Sequence, residues 1–196
     1  GSKFVLPPLN YDKQIIDKPY YPPGELFARP AITLKEQREE RHRTLNERCE
    51  KVAELINAHK RPAIAWCHFN EESELLAKLI PDSIEVAGKH SDEYKETALN
   101  DFAQNKVRVL VTKPKIGCWG MNYQHCGDMT TFPSFSFEQF YQAVRRSHRY
   151  GRKGILDVYI PMAECEKPVW LALSAKLKTF DRDCAELQSR FFKVAT

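Results

Sequence analysis

Residues 63–67, AIAWC, form a short apolar run that is typical of a buried strand. A second run of this kind, VRVLV, follows at residues 107–111. Between them lie the segments 71–80 and 91–104, in which apolar residues recur at helical spacing, and a further short strand at 84–86. Strands and helices that alternate at this spacing predict an α/β fold with an open, mostly parallel sheet covered by helices.

The alternation continues on both sides of this stretch. Ser91 and Ser136 stand where N-caps are expected, each just ahead of a helix. The remaining predicted elements are strands at 128–132 and 156–160 and helices at 33–57 and 136–149. In the helix that Ser91 caps, we expect four apolar residues to point inward: Tyr94, Ala98, Leu99 and Phe102. Ligands of such sheets bind at the carboxyl ends of the strands.

The composition divides the chain into three parts. Residues 1–32 are predicted to be an extended arm or linker, because half of the chain's 12 prolines fall there. Residues 33–165 carry the alternating elements. They begin with KEQREERHR, a charged stretch that predicts a solvated half-helix. Residues 166–196 are predicted to form an amphipathic C-terminal helix.

An apolar seam runs along this last helix. Its members are spaced alternately by three and four residues, which is the 3.5-residue period of helix pairing. They are Trp170, Leu173, Leu177, Phe180, Cys184, Leu187 and Phe191. Two interpretations stay open: the helix packs on its own domain, or it pairs with a helix of a second copy or of another domain.

The overall composition favours a soluble globular domain, with 42% hydrophobic and 29% charged residues among 196. No apolar run is long enough to cross a membrane, so no membrane partner is expected. The six cysteines show no CxxC spacing, which favours reduced thiols in a cytoplasmic compartment. We expect no metal, because the nearest candidate ligands match no zinc spacing. Those candidates are Cys118, His125, Cys126 and His148.

The basic residues concentrate between Phe137 and Ile155, where five of them accompany one acid, Glu138. A helical projection places Gln142, Arg146 and Arg149 together on one side. The opposite side carries Phe137, Phe140, Tyr141, Val144 and His148, and the flanks carry Arg145 and Arg152. Clustered guanidiniums repel one another and match phosphate oxygens, so the outward face predicts an anionic partner. The competing interpretation is a solvated basic face.

Residues 142–151, QAVRRSHRYG, resemble motif VI of superfamily-2 helicases, in the Q-A-x-x-R-x-H-R-x-G form of Swi/Snf-type DNA translocases. Such translocases also occur as phage and prophage helicases, and the double arginine resembles that branch. The residue after the motif's glycine is usually Gln in that subfamily and is Arg152 here.

Two further stretches fall in the order that this family has. Residues 112–122, TKPKIGCWGMN, resemble motif V, and residues 64–70, IAWCHFN, resemble motif IV. The resemblance covers about residues 60–162. It implies a RecA-like three-layer fold for the domain and an interlobe linker for residues 1–32.

The first half of a helicase motor is missing from this sequence. No GxxxxGK[ST] phosphate loop and no DExx box on a strand are present. The resemblance therefore implies a second RecA-like lobe, whose partners are a first lobe and DNA, with double-stranded DNA favoured. ATP and Mg²⁺ are expected in the full-length protein only, with no activity in this fragment. The setting favoured is the cytoplasm of a bacterial or phage-infected cell.

The resemblance also implies roles for particular residues. Arg149 corresponds to the arginine finger, with Arg146 beside it and Gln142 organising that face. Gly120 and Asn122 of motif V correspond to nucleotide-binding positions. The residues implied in nucleic-acid contact are His68, Asn70, Thr112, Lys113 and Lys115.

Two other functions stay open on the sequence alone. The basic stretch and the missing phosphate loop are compatible with a stand-alone nucleic-acid-binding module without ATPase activity. The seam from Trp170 to Phe191 is compatible with an interaction scaffold.

Overall fold

The computed structural model of this protein describes residues 6–31, 33–117, 121–133 and 136–194. These residues form a sheet of six parallel strands in the order β1-β6-β5-β2-β4-β3. The strands are β1 Leu9–Ile16, β2 Ala63–Trp66, β3 Ser83–Val86, β4 Val109–Thr112, β5 Asp128–Thr131 and β6 Leu156–Ala163. No helix in the described part of the chain is long and apolar enough to cross a membrane.

The helices cover both faces of the sheet. They are α1 Leu34–Arg43, α2 Leu45–Asn57, α3 Asn70–Leu79, α4 Asp92–Ala103, α5 Pro114–Gly117, α6 Phe137–Ser147 and α7 Lys167–Val194. Side chains alternate along each strand, so Ile64 and Trp66 of β2 meet α4, α6 and α7. Ala63 and Ala65 face the other way, toward α2 and α3. The predicted three-layer α/β architecture is confirmed.

The central strands are buried along their whole length, as expected for parallel strands between two helical layers. In register, Trp66 of β2 lies beside Thr112 of β4 and Thr131 of β5. The residues that follow these three positions therefore leave the sheet at one edge, its carboxyl edge.

The sheet takes in part of the segment that the sequence assigns to a linker. Residues Leu9–Ile16 pair in parallel with β6 as an edge strand, and Asn10 donates a side-chain hydrogen bond of 3.0 Å to Asp157. This eight-residue stretch contains no proline, whereas Pro8 precedes it and Pro19 follows it. The prolines thus bracket the strand and leave all its backbone N–H groups in place.

The predicted helix over 33–57 is two helices that meet at Thr44. The Thr44 hydroxyl donates 2.7 Å to the carbonyl of Glu40, in competition with the regular helical pattern. Most of the first helix is exposed, as its charges suggest, but Gln37 and Glu40 on one side of it are buried. Arg41 reaches the Glu166 carboxylate at 3.1 Å, so ionic contacts dock this helix on the domain.

A fully buried ion pair joins α2 to the first turn of α3. The guanidinium of Arg48 lies 3.0 Å from the Glu72 carboxylate, and neither side chain is exposed. The second Glu72 oxygen accepts from the backbone N–H groups of His68 at 2.8 Å and Phe69 at 3.0 Å. Arg48 also stacks on the Phe132 ring, with 4.4 Å to its centroid. These contacts hold the turn that begins α3.

The N-terminal half of α7 packs on its own domain. Trp170, Leu173 and Leu177 belong to the main core, and Phe180 lies against Tyr141 with the ring centroids 4.7 Å apart. Farther along, Leu187 is 55% exposed. The first of the two interpretations therefore holds for this half of the seam.

One predicted core residue is wrong. Tyr94 in the first turn of α4 is exposed, and its hydroxyl donates 3.2 Å to the carbonyl of Glu85. The other expected contacts of this helix are present, since Ala98 and Phe102 are buried and Leu99 packs beside them. Ser91 caps it by accepting from the Tyr94 N–H. A tyrosine can lie at the surface because its hydroxyl finds a partner there.

The buried ion pair yields a stability prediction. Glu72→Gln leaves the Arg48 guanidinium without its counter-charge in a site closed to water, so we expect a loss of about 3–5 kcal/mol in the free energy of unfolding. Urea denaturation followed by circular dichroism measures it. The exposed neighbour Glu71→Gln is the control, with a change below about 1 kcal/mol. Equal losses in the two variants would contradict the assignment.

Candidate phosphate-binding site

Helix α6 is positioned by its buried face. Ser136 accepts a hydrogen bond from the Gln139 N–H and starts the helix, while Phe140, Ala143 and Val144 pack into the core. This packing leaves Gln142 and Arg149 exposed, as the projection predicts. The amphipathic character of the basic helix is confirmed.

The outward side of α6 forms one face of a groove of about 230 Å³. It is lined by Tyr141, Gln142, Arg145, Arg146 and Arg149. The lining includes three guanidiniums and no carboxylate. The side-chain amide of Gln142 donates 3.0 Å to Glu138, one helical turn away toward the start of α6.

Two of the three arginines are held in place by neighbours. Arg146 donates to the backbone carbonyl of Met121 at 3.4 Å. Arg145 donates to the Tyr141 hydroxyl at 2.9 Å and lies over that ring, 5.0 Å from its centroid. Arg149 lies beyond the helix end and is exposed. Of the three, it is therefore the one best placed to reach another molecule.

Tyr141 is the residue that the sequence interpretation missed. The helical projection places it on the buried face, yet it lines the groove and orients Arg145. The sequence did contain a clue to this contact: Tyr141 and Arg145 are four residues apart, and side chains at this separation lie next to each other on a helix.

A second groove, of about 610 Å³, adjoins the first at Arg145 and Arg149. It is lined by Leu6, Asn122, Gln124, Arg145, His148, Arg149 and Tyr150. The structure therefore brings Asn122, an expected nucleotide-binding residue, next to Arg145 and Arg149. Gly120, the other expected nucleotide-binding position, lies outside the described residues.

Arg152 does not belong to this outward set, contrary to its flanking position in the projection. Its side chain is buried, and the guanidinium donates to four backbone carbonyls. The acceptors are those of Gln124, Cys126, Gly154 and Ile155. Burial lowers the pKa of this guanidinium from its usual value. Arg152 thus clamps the turn before β6 to the segment before β5.

The expected nucleic-acid contacts gather elsewhere, at the carboxyl edge of the sheet. Lys113 follows β4 and donates 2.7 Å to the side chain of Asn70, which opens α3 after β2. Lys115 lies nearby on α5 and is exposed. Parallel pairing of β2 and β4 is what brings these polar side chains together.

Two other residues of this expected set are engaged inside the domain. Thr112 is fully buried, and its hydroxyl donates 2.7 Å to the Val86 carbonyl, so its side chain links two strands and is not available to a nucleic acid. The His68 ring nitrogen lies 3.2 Å from the Phe132 carbonyl. Burial lowers the pKa of His68, which favours the neutral ring.

The two groups of expected site residues do not form one site in the described part of this chain. Helix α6 starts at the carboxyl edge and runs back across the sheet, so its C-terminal arginines lie toward the amino edge. An 11-residue helix is roughly 16 Å long, and this length separates the two groups. The expectation that ligands bind at the carboxyl ends of the strands therefore fits the position of Asn70 and Lys113, but not that of Arg146 and Arg149.

Two of the candidate metal ligands considered from the sequence are engaged with backbone carbonyl groups. Cys126 is buried, donates to the Asp128 carbonyl, and has its pKa raised by burial to about 12. A ring nitrogen of His148 lies 2.8 Å from the Pro7 carbonyl. Within the part of the chain that the structure describes, no three His, Cys, Asp or Glu residues could share a metal ion. Cys118 lies outside that part.

No protein-family model and no curated protein sequence matches this chain. Solved structures do resemble it. The C-terminal part of the Fun30 ATPase domain gives a TM-score of 0.55 at 15% identity, over 63% of this chain and 44% of that one. The C-terminal domain of the DEAD-box protein Dbp5 gives 0.57 at 12% identity, over 67% and 78%.

A third similar structure is the RNA-helicase Prp28 from Chaetomium thermophilum bound to ADP. It gives a TM-score of 0.60 at 15% identity, over 88% of this chain and 37% of that one. The chain thus spans less than half the length of the Fun30 and Prp28 chains. At these identities the similarity shows the fold alone: this chain has a RecA-like α/β fold that ends in a long C-terminal helix.

Proposed function

We propose that this chain is the second RecA-like lobe of an ATP-dependent superfamily-2 helicase or translocase. In this proposal α6 presents its arginines to the phosphates of an ATP molecule that a first lobe holds. The observation that carries the proposal is the groove on α6, where Arg145, Arg146 and Arg149 converge with no carboxylate in the lining. Three adjacent guanidiniums repel one another, and bound phosphate oxygens remove that repulsion.

The geometry suggests different tasks for the three motif residues. Arg149 is exposed beyond the helix end and would be the arginine finger that stabilises charge on the transferred phosphoryl group. Arg146 is tied to Met121 and would give a fixed positive charge beside it. Gln142, held by Glu138, would orient the groups that meet this face.

The groove fits the phosphates of ATP but not Mg²⁺, since its lining supplies donors and no oxygen anion. ATP supplies the phosphoryl group whose transfer to water releases free energy. We therefore assign the metal ligands and the phosphate loop to the first lobe, and to this lobe the positive charges that complete the site. Prp28 is described bound to ADP, and that nucleotide is of the class proposed here.

The carboxyl edge would supply part of the nucleic-acid track. Asn70, Lys113 and Lys115 lie there with polar groups suited to phosphate contacts. The Swi/Snf-type form of motif VI favours double-stranded DNA as the track, and its double arginine favours a phage or prophage origin. A cytoplasmic setting in a bacterial or phage-infected cell agrees with this assignment.

The arginine-finger assignment yields a kinetic prediction. In the full-length protein, Arg149→Ala should reduce the turnover number for ATP by roughly 10³–10⁵, because the developing charge loses its positive partner. Steady-state ATPase assays with saturating nucleic acid measure this. The matched control is Lys153→Ala, which removes an exposed positive charge from the same basic stretch and should leave turnover unchanged. Normal turnover in Arg149→Ala would refute the assignment.

The presence of a first lobe is tested separately by the mass of the native protein in its source cell, with peptide mapping upstream of Lys3. A longer chain that contains a phosphate-loop peptide supports the proposal. A native chain near 22.8 kDa contradicts the idea that both lobes belong to one polypeptide. The next experiment would then be a search for a separate protein that supplies the first lobe.

The alternative function, a nucleic-acid-binding module without ATPase activity, is favoured by the Lys113–Asn70 pair at the carboxyl edge. Both functions need this edge to contact nucleic acid, so the edge can be tested in the 196-residue chain itself.

We expect Lys113→Ala to weaken binding to a short fluorescein-labelled DNA duplex and to reduce the log–log salt slope by about 1, because one phosphate contact is lost. Fluorescence anisotropy across a salt series measures both. Lys60→Ala, an exposed lysine near the opposite edge, should keep the slope. Equal slopes for all three proteins would show that Lys113 contacts no phosphate.

A further inference from the structure

Large apolar side chains gather on the surface of one short segment. Leu26 is 89% exposed and Phe27 is 83% exposed, and Leu34 follows at 72%. Tyr21 and Leu171 are also more than half exposed. Single exposed apolar residues are ordinary, but four of these five fall within residues 21–34, and such a concentration indicates an interaction surface. The fifth, Leu171, lines a hollow together with Ala28 and Arg29 of the same segment. These five residues are called the Phe27 surface below.

The loop that carries Leu26 and Phe27 is closed by hydrogen bonds. The Arg29 N–H donates 3.0 Å to the Tyr20 carbonyl, and the Glu25 N–H donates 3.0 Å to the Pro22 carbonyl. Gly24 takes a φ of +83° inside this turn, a conformation that side chains disfavour. The tip is therefore held in one shape that presents Leu26 and Phe27 outward.

Charged side chains brace the same loop. Arg29 donates 3.2 Å to Glu25 within the loop and 3.1 Å to Glu36 on α1. A surface that is fixed before binding loses little conformational entropy when it binds. This bracing fits a docking role better than that of a passive linker.

An apolar hollow of about 300 Å³ lies directly beside the tip. It is lined by Pro19, Tyr20, Ala28, Arg29, Pro30, Glu164, Cys165, Lys167, Pro168 and Leu171. Ala28 and Arg29, which line the hollow, directly follow Phe27 in the chain. The protruding tip and the hollow are therefore adjacent parts of one surface.

We propose that the Phe27 surface pairs with the same surface of a second copy of this chain, with Phe27 of each copy in the hollow of the other. A surface that carries both a protrusion and a hollow can match itself across a two-fold axis. This inference is independent of the proposed motor function and goes beyond it.

The charges around the two features agree with this pairing. Glu25 precedes the tip and is 47% exposed, whereas Lys167 on the rim of the hollow is 45% exposed. Inserting the tip of one copy into the other brings the Glu25 carboxylate toward the partner's Lys167, and the symmetry repeats this contact. Opposite charges at such positions set the orientation of a complex.

The apolar area also approaches what an interface requires. An aromatic residue buries about 150–250 Å² in full, of which Phe27 at 83% exposure can still contribute most and Tyr21 at 57% exposure somewhat more than half, and the three leucines of the surface add to this. A standard interface takes about 800 Å² from each partner. Aromatic side chains at the centre of an apolar patch are the usual anchors of such interfaces.

Sedimentation velocity over a concentration series tests the proposal with the 196-residue chain. We expect a concentration-dependent dimer for the unmodified protein and a monomer for both Phe27→Asp and Leu171→Asp. Leu187→Asp, which changes an exposed apolar residue of α7 outside the Phe27 surface, should dimerise as the unmodified chain does. Circular dichroism checks the fold of each variant, and Leu26→Asp replaces any variant that fails to fold.

A charge exchange separates pairing across copies from local effects. Glu25→Lys and Lys167→Glu should each weaken the dimer roughly tenfold or more, because like charges then face one another. The double variant should regain most of the affinity, although the local pairs with Arg29 and Glu164 stay broken in it.

Three results would overturn the proposal. One is a chain that stays monomeric at its solubility limit. Another is a dimer that Leu187→Asp abolishes and Phe27→Asp leaves intact, which would assign pairing to the α7 seam instead. The third is a double charge variant as weak as the single ones.

Discussion

The Glu72 carboxylate can be buried because each of its two oxygens faces a positive charge or backbone N–H donors. One oxygen faces the Arg48 guanidinium, and the other accepts from the backbone of His68 and Phe69. A buried charge without a partner is strongly unfavourable. The need to pair Glu72 therefore holds α2, the end of β2 and the start of α3 in one arrangement. The polar turn that carries Asn70 takes its position from this constraint, as does the placement of α2 on that face of the sheet.

The arginine-lined groove on α6 arises from a different kind of constraint, which is the packing of apolar side chains. The buried face of α6 fixes the helix rotation, and the arginines face outward as a consequence. Arg152 stabilises the turn between α6 and β6 by donating hydrogen bonds to four backbone carbonyl groups. Arginines within one short stretch thus divide into structural and available ones according to burial alone. Arg152 accordingly belongs to the turn before β6 rather than to the groove.

The sequence predicts the alternating elements well, because apolar runs and helical spacing are local properties. It also predicts the outward side of α6, since a helix rotates each residue by a fixed angle. What it misses depends on partners distant in the chain. The edge strand Leu9–Ile16 needs β6 to be recognised, and the buried carboxylate Glu72 looks like any helix-starting acid until Arg48 is placed beside it. The internal role of Thr112 depends in the same way on Val86.

The pairing of β1 with β6 has a consequence for the order in which the protein folds. Asn10 and Asp157, which join the two strands, are 147 residues apart in the chain. On the ribosome, β1 emerges long before β6 and has to wait for this neighbour until most of the domain has been synthesised. Until β6 has been synthesised, one edge of β5 has no strand to pair with, and neither has β1. Contacts this distant slow folding and leave strand edges exposed meanwhile. Synthesis interrupted before Leu156 would release a chain with two unmatched strands, which is a natural substrate for chaperones or proteases.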